Sequence, residues 1–504
     1  MPRYAFAIDN RKCIGCHACT VACKSEHDVP IGVNRTWVKY IEKGVFPDTR
    51  RYFSVQRCNH CADAPCVEIC PVTSLYTRPD GIVDFDSDRC IGCKACMQAC
   101  PYDALYIDPS TLTAAKCNYC THRVDAGYEP ACVVVCPVEA IVSGDLDDPT
   151  SPISLLDRMQ RVQYPKVEKG TQPKLFYVGG ETAAMDPAQA PPRREYIWSD
   201  TGKGMPGELL DQADREAQDE ARARRVYDVG PKQTGWGWMV SAYVTTKAIA
   251  AGTVIASFLA WWRGYSDRVL PGAAFLTSLI FLAITGALLV GDLKQPRRFL
   301  YVLLRPQWRS WLVRGAYLIL LFSLLLPVCW IVSALDAAPG VQMTFGVATS
   351  LAATAMAAYT AFLFAQAKGR DYWQNPLLVL SMPADAVVAG IVVLAILAEM
   401  GVAAPGHDVL SRWLAYGILA LGGLLLAEFV PVHATKNAEI AARLITHGIY
   451  RVPFWGGVVL LGLIAPAILS LMGAPPLWPA LFVAAGMAIK AHVLVQAPQR
   501  IPLS

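Results

Sequence analysis

Sixteen of the seventeen cysteines lie between residues 13 and 136, in four groups of four. The first is Cys13, Cys16, Cys19 and Cys23, spaced C-x2-C-x2-C-x3-C. The third, Cys90, Cys93, Cys96 and Cys100, repeats it closely and is followed by Pro101. The second, Cys58, Cys61, Cys66 and Cys70, has a wider middle gap and also ends in proline, Pro71. The fourth is Cys117 and Cys120, a longer insert, then Cys132, Cys136 and Pro137. Thiolates at this spacing hold [4Fe–4S] cubes: three close cysteines wrap one cube on a tight turn, and the fourth leaves on a short helical segment to ligate another. Proline suits the start of that departure because it has no N–H that needs a partner. Four complete groups predict four [4Fe–4S] clusters with all sixteen cysteines as iron ligands.

This is the bacterial ferredoxin run, and its rivals are weak. Zinc accepts pairs of C-x2-C but does not require four full runs. A disulfide framework belongs to small secreted domains, and no apolar signal segment precedes Cys13. His17, His60 and His122 lie among the ligands. With four thiolates in every group, these histidines are expected to hydrogen-bond sulfur rather than ligate iron. Cys329 stands alone in an apolar run and reads as a small buried hydrophobe.

The chain that must position these groups has 504 residues, 54% hydrophobic and 17% charged, which calls for more than one domain and for membrane. A net charge of +4 gives no reason to expect nucleic acid as a partner. Residues 1–164 read as an α+β domain of two ferredoxin-like modules in tandem. A short strand enters the first group, residues 37–41 and 52–56 alternate as a hairpin, and residues 81–84 and 104–107 flank the third group as a strand pair. Residues 165–234 lose the cysteines and gain proline, glycine and charge. They read as a linker and docking arm, with a solvated helix from Glu208 to Arg225. Residues 235–504 read as an all-α transmembrane bundle of about eight helices, near 236–262, 270–291, 311–335, 341–367, 376–400, 410–432, 450–472 and 476–496. Trp236, Trp238, Trp261, Trp262, Trp308, Trp311, Trp330, Trp373, Trp413 and Trp478 mostly sit near run ends, where an aromatic belt belongs.

The cysteine array, over about residues 1–180, resembles the four-cluster electron-transfer subunit of molybdopterin oxidoreductases of the dimethyl-sulfoxide-reductase superfamily. The resemblance implies that the first three cysteines of group one share a cube with the last of group four, and conversely, with groups two and three paired in the same way. It also implies a separate molybdopterin catalytic subunit as partner. The second half resembles the polysulfide-reductase membrane subunit, through Trp236-Gly-Trp238, Tyr243, Gly252, the run from Asp292 to Phe299, Tyr359 and Trp373-x2-Pro376. That resemblance implies a quinone-reactive helical bundle. The two parts are usually separate chains; here they are fused.

Ionisable side chains cost a few kcal/mol each inside a span and usually face the bundle interior. Lys247 lies mid-run with Tyr243 one turn before it on the same face. Asp385 lies well inside the fifth run, Glu428 near the end of the sixth, and Lys490 and His492 near the end of the eighth. A quinone needs a donor or charge at each carbonyl and a proton source on reduction. Tyr243, Lys247, Asp385, Glu428 and His492 are the candidate quinone-binding residues, for menaquinone or ubiquinone. Of the histidines only His492 is well inside a run, with His433 and His447 at edges, so no bis-histidine haem is expected.

Together these readings describe an electron-transfer and membrane-anchor subunit, passing electrons between a separate catalytic subunit and membrane quinone, with substrate catalysis on the partner. A redox-driven proton-translocating module is the alternative. A passive anchor for a ferredoxin domain is another, and it has no use for Lys247, Asp385 and Glu428 in hydrocarbon. An even number of spans puts both ends of the bundle on one side. The loops and tail on that side carry Lys294, Arg297, Arg298, Arg305, Arg309, Lys368, Arg370, Lys436, Arg443 and Arg500, against Arg263, Arg268 and Arg412 opposite. Short-loop lysine and arginine stay in the cytoplasm, so the expected location is the inner membrane with the clusters on the cytoplasmic side. No twin-arginine pair precedes the first group, which agrees.

Overall fold

The computed structural model describes residues 2–44, 47–190, 223–229, 233, 235–402, 405–430 and 433–504. The chain forms two compact units, Met1–Gly235 with Pro502–Ser504, and Trp236–Ile501.

The first unit has eleven strands among its described residues: β1 (Tyr4–Asp9), β2 (Thr36–Lys43), β3 (Arg50–Arg57), β4 (Leu75–Thr77), β5 (Val83–Phe85), β6 (Tyr106–Ile107), β7 (Ala114–Ala115), β8 (Ile141–Asp145), β9 (Val162–Gln163), β10 (Leu175–Val178) and β11 (Arg224–Tyr227). A four-stranded sheet has the order β8-β1-β10-β9. In it β1 pairs antiparallel with β8 and parallel with β10, and Ala5, Ala7, Phe176 and Val178 bury against Ile153. The hairpin β2–β3 pairs Trp37 with Gln56 and Ile41 with Tyr52, as the alternation predicts. Two expectations are corrected. The strands around the third cysteine group do not pair with one another. β5 pairs with β4 and β6 with β7, because turns close each couple locally, as at Asp80, whose carboxylate accepts from Ile82 N at 3.0 Å.

The boundary at residue 164 is the second correction. Leu175–Val178 is an apolar run buried throughout, and its backbone completes the sheet beside β1, so residues up to at least 178 belong to the cluster domain. Arg224–Tyr227 is a strand against β2, not the end of a helix; the rest of the stretch expected to be helical lies outside the described residues. The C-terminal Pro502–Ser504 also packs with this unit, where Lys166 Nζ donates to Leu503 O at 2.6 Å and Arg225 Nη2 to Ser504 O at 3.2 Å.

The second unit holds, among its described residues, eight helices long and apolar enough to cross a membrane: Trp238–Trp262, Gly272–Gly291, Trp311–Ala334, Pro339–Gln366, Leu378–Glu399, His407–Phe429, Pro453–Leu471 and Leu477–Arg500. Lipid gives helices little hydrophobic reason to associate, so small residues that let backbones approach matter most. The first and fifth spans meet in this way: a Cβ on Gly252 would strike the Ala386 carbonyl and lie 2.8 Å from Gly390 N. Gly462 and Gly486 face each other likewise between the seventh and eighth spans. The seventh span is π-helical over Pro453–Ile464, just ahead of Pro466, whose ring would clash in a regular α-helix. Two of the tryptophans expected at a lipid belt are interior instead. Trp236 and Trp373 are buried and stack at 5.4 Å, and Trp373 Nε1 donates to Leu494 O at 2.8 Å.

Candidate functional site

The cysteine turns are built from left-handed backbone. Gly15 and Gly92, in the two Cys-Ile-Gly-Cys runs, have φ of 70° and 69°, and His17 and Lys94, just after the second cysteine, both have φ of 61°. Glycine takes that conformation without strain, and the chain then curls tightly enough to aim three Sγ atoms inward. Helices Ala18–Glu26, Pro65–Ile69, Ala95–Ala99 and Ala131–Val134 follow and carry the later cysteine of each group away.

The result is four quartets that interleave the groups. Cys13, Cys16 and Cys19 line a cavity of about 330 Å³ with Cys136. Cys90, Cys93 and Cys96 line one of about 320 Å³ with Cys70, and Cys58, Cys61 and Cys66 one of about 310 Å³ with Cys100. Cys117, Cys120 and Cys132 are the cysteine neighbours of Cys23. Among the described residues no three such side chains converge tightly enough to hold a single metal ion. Three of the sets stand instead around a void, which suits a multi-atom cluster rather than zinc.

Donors point at the sulfurs. Cys90 Sγ accepts from Gly92 N at 3.4 Å and Ala114 N at 3.3 Å, and Cys136 Sγ from Ala140 N at 3.2 Å. Arg57 Nη1 donates to Cys132 Sγ at 3.0 Å, and His27 Nε2 lies 3.1 Å from Cys120 Sγ. Burial pushes the thiols of Cys61 and Cys117 up to about 12 and those of Cys19, Cys100 and Cys120 up to about 11. Thiolates become favourable in such surroundings only with a cation among them, so cluster loading and thiol deprotonation are one event. Buried soft donors, a void and N–H groups aimed at sulfur are what an iron–sulfur cube requires.

The three histidines expected on sulfur make other contacts. His122 Nε2 lies 2.7 Å from Glu26 Oε1, His60 Nδ1 accepts from Val83 N at 3.2 Å, and the His17 ring packs on Tyr40 and Tyr227. His17 and His60 sit in left-handed backbone, and His27, the residue that follows helix Ala18–Glu26, takes the sulfur contact. Neither His27 nor Arg57 carried a motif signal, although Arg57 directly precedes Cys58.

In the membrane unit the candidate residues form two separate groups. Lys247, fully buried in the first span, donates to Ala357 O at 3.2 Å and to Thr360 Oγ1, both in the fourth. Its ammonium sits 4.3 Å over the Tyr359 ring, which is wedged against Gly315; Tyr243 Oη is 3.1 Å from Thr360 Oγ1. In the second group Lys490 Nζ bridges both Asp385 oxygens at 2.9 and 3.0 Å, and Tyr372 Oη donates to Glu428 Oε1 at 2.7 Å. Tyr372, Glu428 and Lys490 are the polar wall of a cavity of about 340 Å³ otherwise lined by Leu425, Phe454 and Val458 among others. His492 is on an exposed face and joins neither group. Tyr372 was not legible in advance, since it lies in the turn before the fifth span and only the fold brings it to Glu428.

A family model described as "Polysulphide reductase, NrfD" matches residues 230–499, more than half of the chain. The chain belongs to this family. Two models described as "4Fe-4S dicluster domain" match residues 49–146 and 12–75. A tetrathionate reductase subunit of Salmonella typhimurium is 43% identical over 37% of this chain and 76% of its own length. A polysulfide reductase component of Wolinella succinogenes is 41% identical over 36% of this chain and 98% of its own length. Protein NrfC of Escherichia coli is 44% identical over 35% and 80% respectively. The protein is thus a [4Fe–4S] electron-transfer domain fused to an NrfD-type, multi-pass membrane domain.

Proposed function

We propose that this NrfD-family chain carries electrons between a molybdopterin catalytic subunit and membrane quinone, through four [4Fe–4S] clusters. The observation that carries the reading is the set of four interleaved cysteine quartets: every group lends its last cysteine to another, so neighbouring cavities share helices, the adjacency that an electron relay needs. When bound, each cube supplies a one-electron couple whose potential the surrounding donors set. The chain's own part is to hold sulfur, keep water away and aim N–H groups at the charge.

For quinone we propose the cavity bounded by Tyr372, Glu428 and Lys490. Its few convergent polar groups sit in apolar walls, the pattern of small-molecule sites. Tyr372 and Glu428 share a proton-bearing hydrogen bond that can serve a carbonyl oxygen, and Lys490, held by Asp385, adds positive charge where the reduced oxygen becomes negative. Lys247 and Tyr243 would supply a second proton-exchanging pair through Thr360. His492 has no part in this assignment. The test is quinol turnover in Glu428→Gln and Lys247→Ala with cluster content measured alongside. Turnover reduced at least about tenfold with iron unchanged is expected for loss of a general acid or base; normal turnover in both makes the two groups structural.

We further propose that the cluster domain faces the cytoplasm across the inner membrane, on the lysine and arginine excess of the loops at that end of the spans.

A further inference from the structure

Arg57 ends β3 and is buried to 1% exposure. Its guanidinium lies 4.7 Å over the Phe6 ring, and Nη1 donates to Cys132 Sγ at 3.0 Å. Nε and Nη2 are also buried and have no acceptor among the described residues. Val55, two residues earlier on the same face of β3, lines the cavity of Cys13, Cys16, Cys19 and Cys136. Cys19 belongs to the quartet with Cys13, Cys16 and Cys136; Cys132 and Cys117 belong to the quartet with Cys23 and Cys120. The guanidinium therefore lies between two quartets. A buried guanidinium without a carboxylate is costly unless other negative charge pairs with it, and buried donors left without acceptors add to that cost. Both costs are relieved only when the quartets carry negative charge.

We propose that Arg57 is a shared positioning residue for two of the four clusters, raising the reduction potential of both by donating from Nη1 to the Cys132 thiolate and offering Nε and Nη2 to sulfur acceptors of the loaded quartets. This rests on the four-cluster reading. A fixed positive charge and N–H···S bonds stabilise the extra electron of a reduced cube more than they stabilise the oxidised one. Placing one arginine between two quartets also ties their potentials together, which favours electron passage between neighbours.

The test is a redox titration of the full detergent-purified chain, followed by electron paramagnetic resonance, with iron and sulfide assayed on the same samples. Arg57→Gln should keep wild-type iron and move two cluster reductions downward by at least tenfold in equilibrium constant, about 59 mV for a one-electron couple, with the other two moving less. Arg57→Lys keeps a charge but loses the planar fork, so its shift should be smaller and in the same direction. Full iron with all potentials unchanged in Arg57→Gln overturns the proposal. If that variant loads poorly, Arg57→Lys decides: a downward shift supports the proposal and unchanged potentials refute it. Loss of iron from both variants makes Arg57 an assembly residue and also overturns the tuning role. A wild-type iron content far below four cubes would instead defeat the four-cluster reading on which it rests.

Discussion

The Asp385–Lys490 pair gives the sharpest test of what intramembrane charge does in this protein. Lys490 Nζ lies 2.9 and 3.0 Å from the two Asp385 oxygens, bridging the fifth and eighth spans. At an effective dielectric of about 20, unit charges at that separation attract by about 6 kcal/mol. Removing two ions from water costs several kcal/mol each, so the intact pair is close to neutral for stability. Breaking it is different: Asp385→Leu leaves an ammonium without its partner, and Lys490→Leu leaves a carboxylate, at a cost of about 3–5 kcal/mol each. The double variant removes both charges and should be as stable as wild type or more stable by about 1–4 kcal/mol, as when a buried ion pair is replaced by apolar residues. The measurement is a double-mutant cycle by unfolding in mixed detergent, read from helix content. A coupling of at least about 2 kcal/mol is expected. Additive single effects would refute the reasoning, because the two side chains would then not depend on each other. The double variant also separates fold from function. It should be well folded and iron-replete, yet slow with quinol, since Lys490 borders the cavity with Glu428 and Tyr372.

Three further outcomes are expected. Iron and acid-labile sulfide should each approach about sixteen per chain; about eight, or a dominant three-iron signal in fresh protein, would contradict the four quartets. Gly252→Ala should destabilise the membrane unit by about 1–3 kcal/mol or more, since its Cβ would meet the backbone of Ala386 and Gly390, whereas Gly286→Ala, with nothing within 4 Å, should be neutral or slightly stabilising, and equal melting of the two would negate this packing argument. Reporter fusions after Ser504 should fluoresce as green fluorescent protein and stay inactive as alkaline phosphatase; the reverse pattern would put the clusters outside.

The cluster half was legible in so far as its chemistry is local. C-x2-C-x2-C fixes three thiols on one turn, so the ligands can be named without a fold. Which distant cysteine completes each set is tertiary, and only the resemblance reached it. Leu175–Val178 was lost to the linker for a related reason. It is a four-residue apolar run with no cysteine beside it, and only its backbone partner β1 makes it a strand of the domain. Arg57 and His27 escaped because an arginine before a cysteine, or a histidine after a helix, has no spacing rule. Their meaning comes from the sulfur each one reaches.

In the membrane half, length and apolarity gave the spans, since hydrocarbon imposes both on any crossing helix. Periodicity could not sort the charged residues into partners. All spans are apolar on nearly every face, so the side chain that faces inward is not marked by its neighbours. Distance along the chain misleads here as well: Lys490 and His492 are two residues apart, yet one pairs with Asp385 and the other lies on the exposed face, because two residues advance a helix by about half a turn. What identifies an inward charge is a complementary one on another span. Asp385 with Lys490 meets that condition; Glu428 has instead a hydrogen bond from Tyr372, in the turn before the fifth span. Lys247 does not: among the described residues its partners are a carbonyl, a hydroxyl and the faces of Tyr359 and Tyr243, all neutral. A lysine held only by neutral groups in hydrocarbon is the least compensated of these charges, and it is the one whose gain or loss of a proton would change its surroundings most.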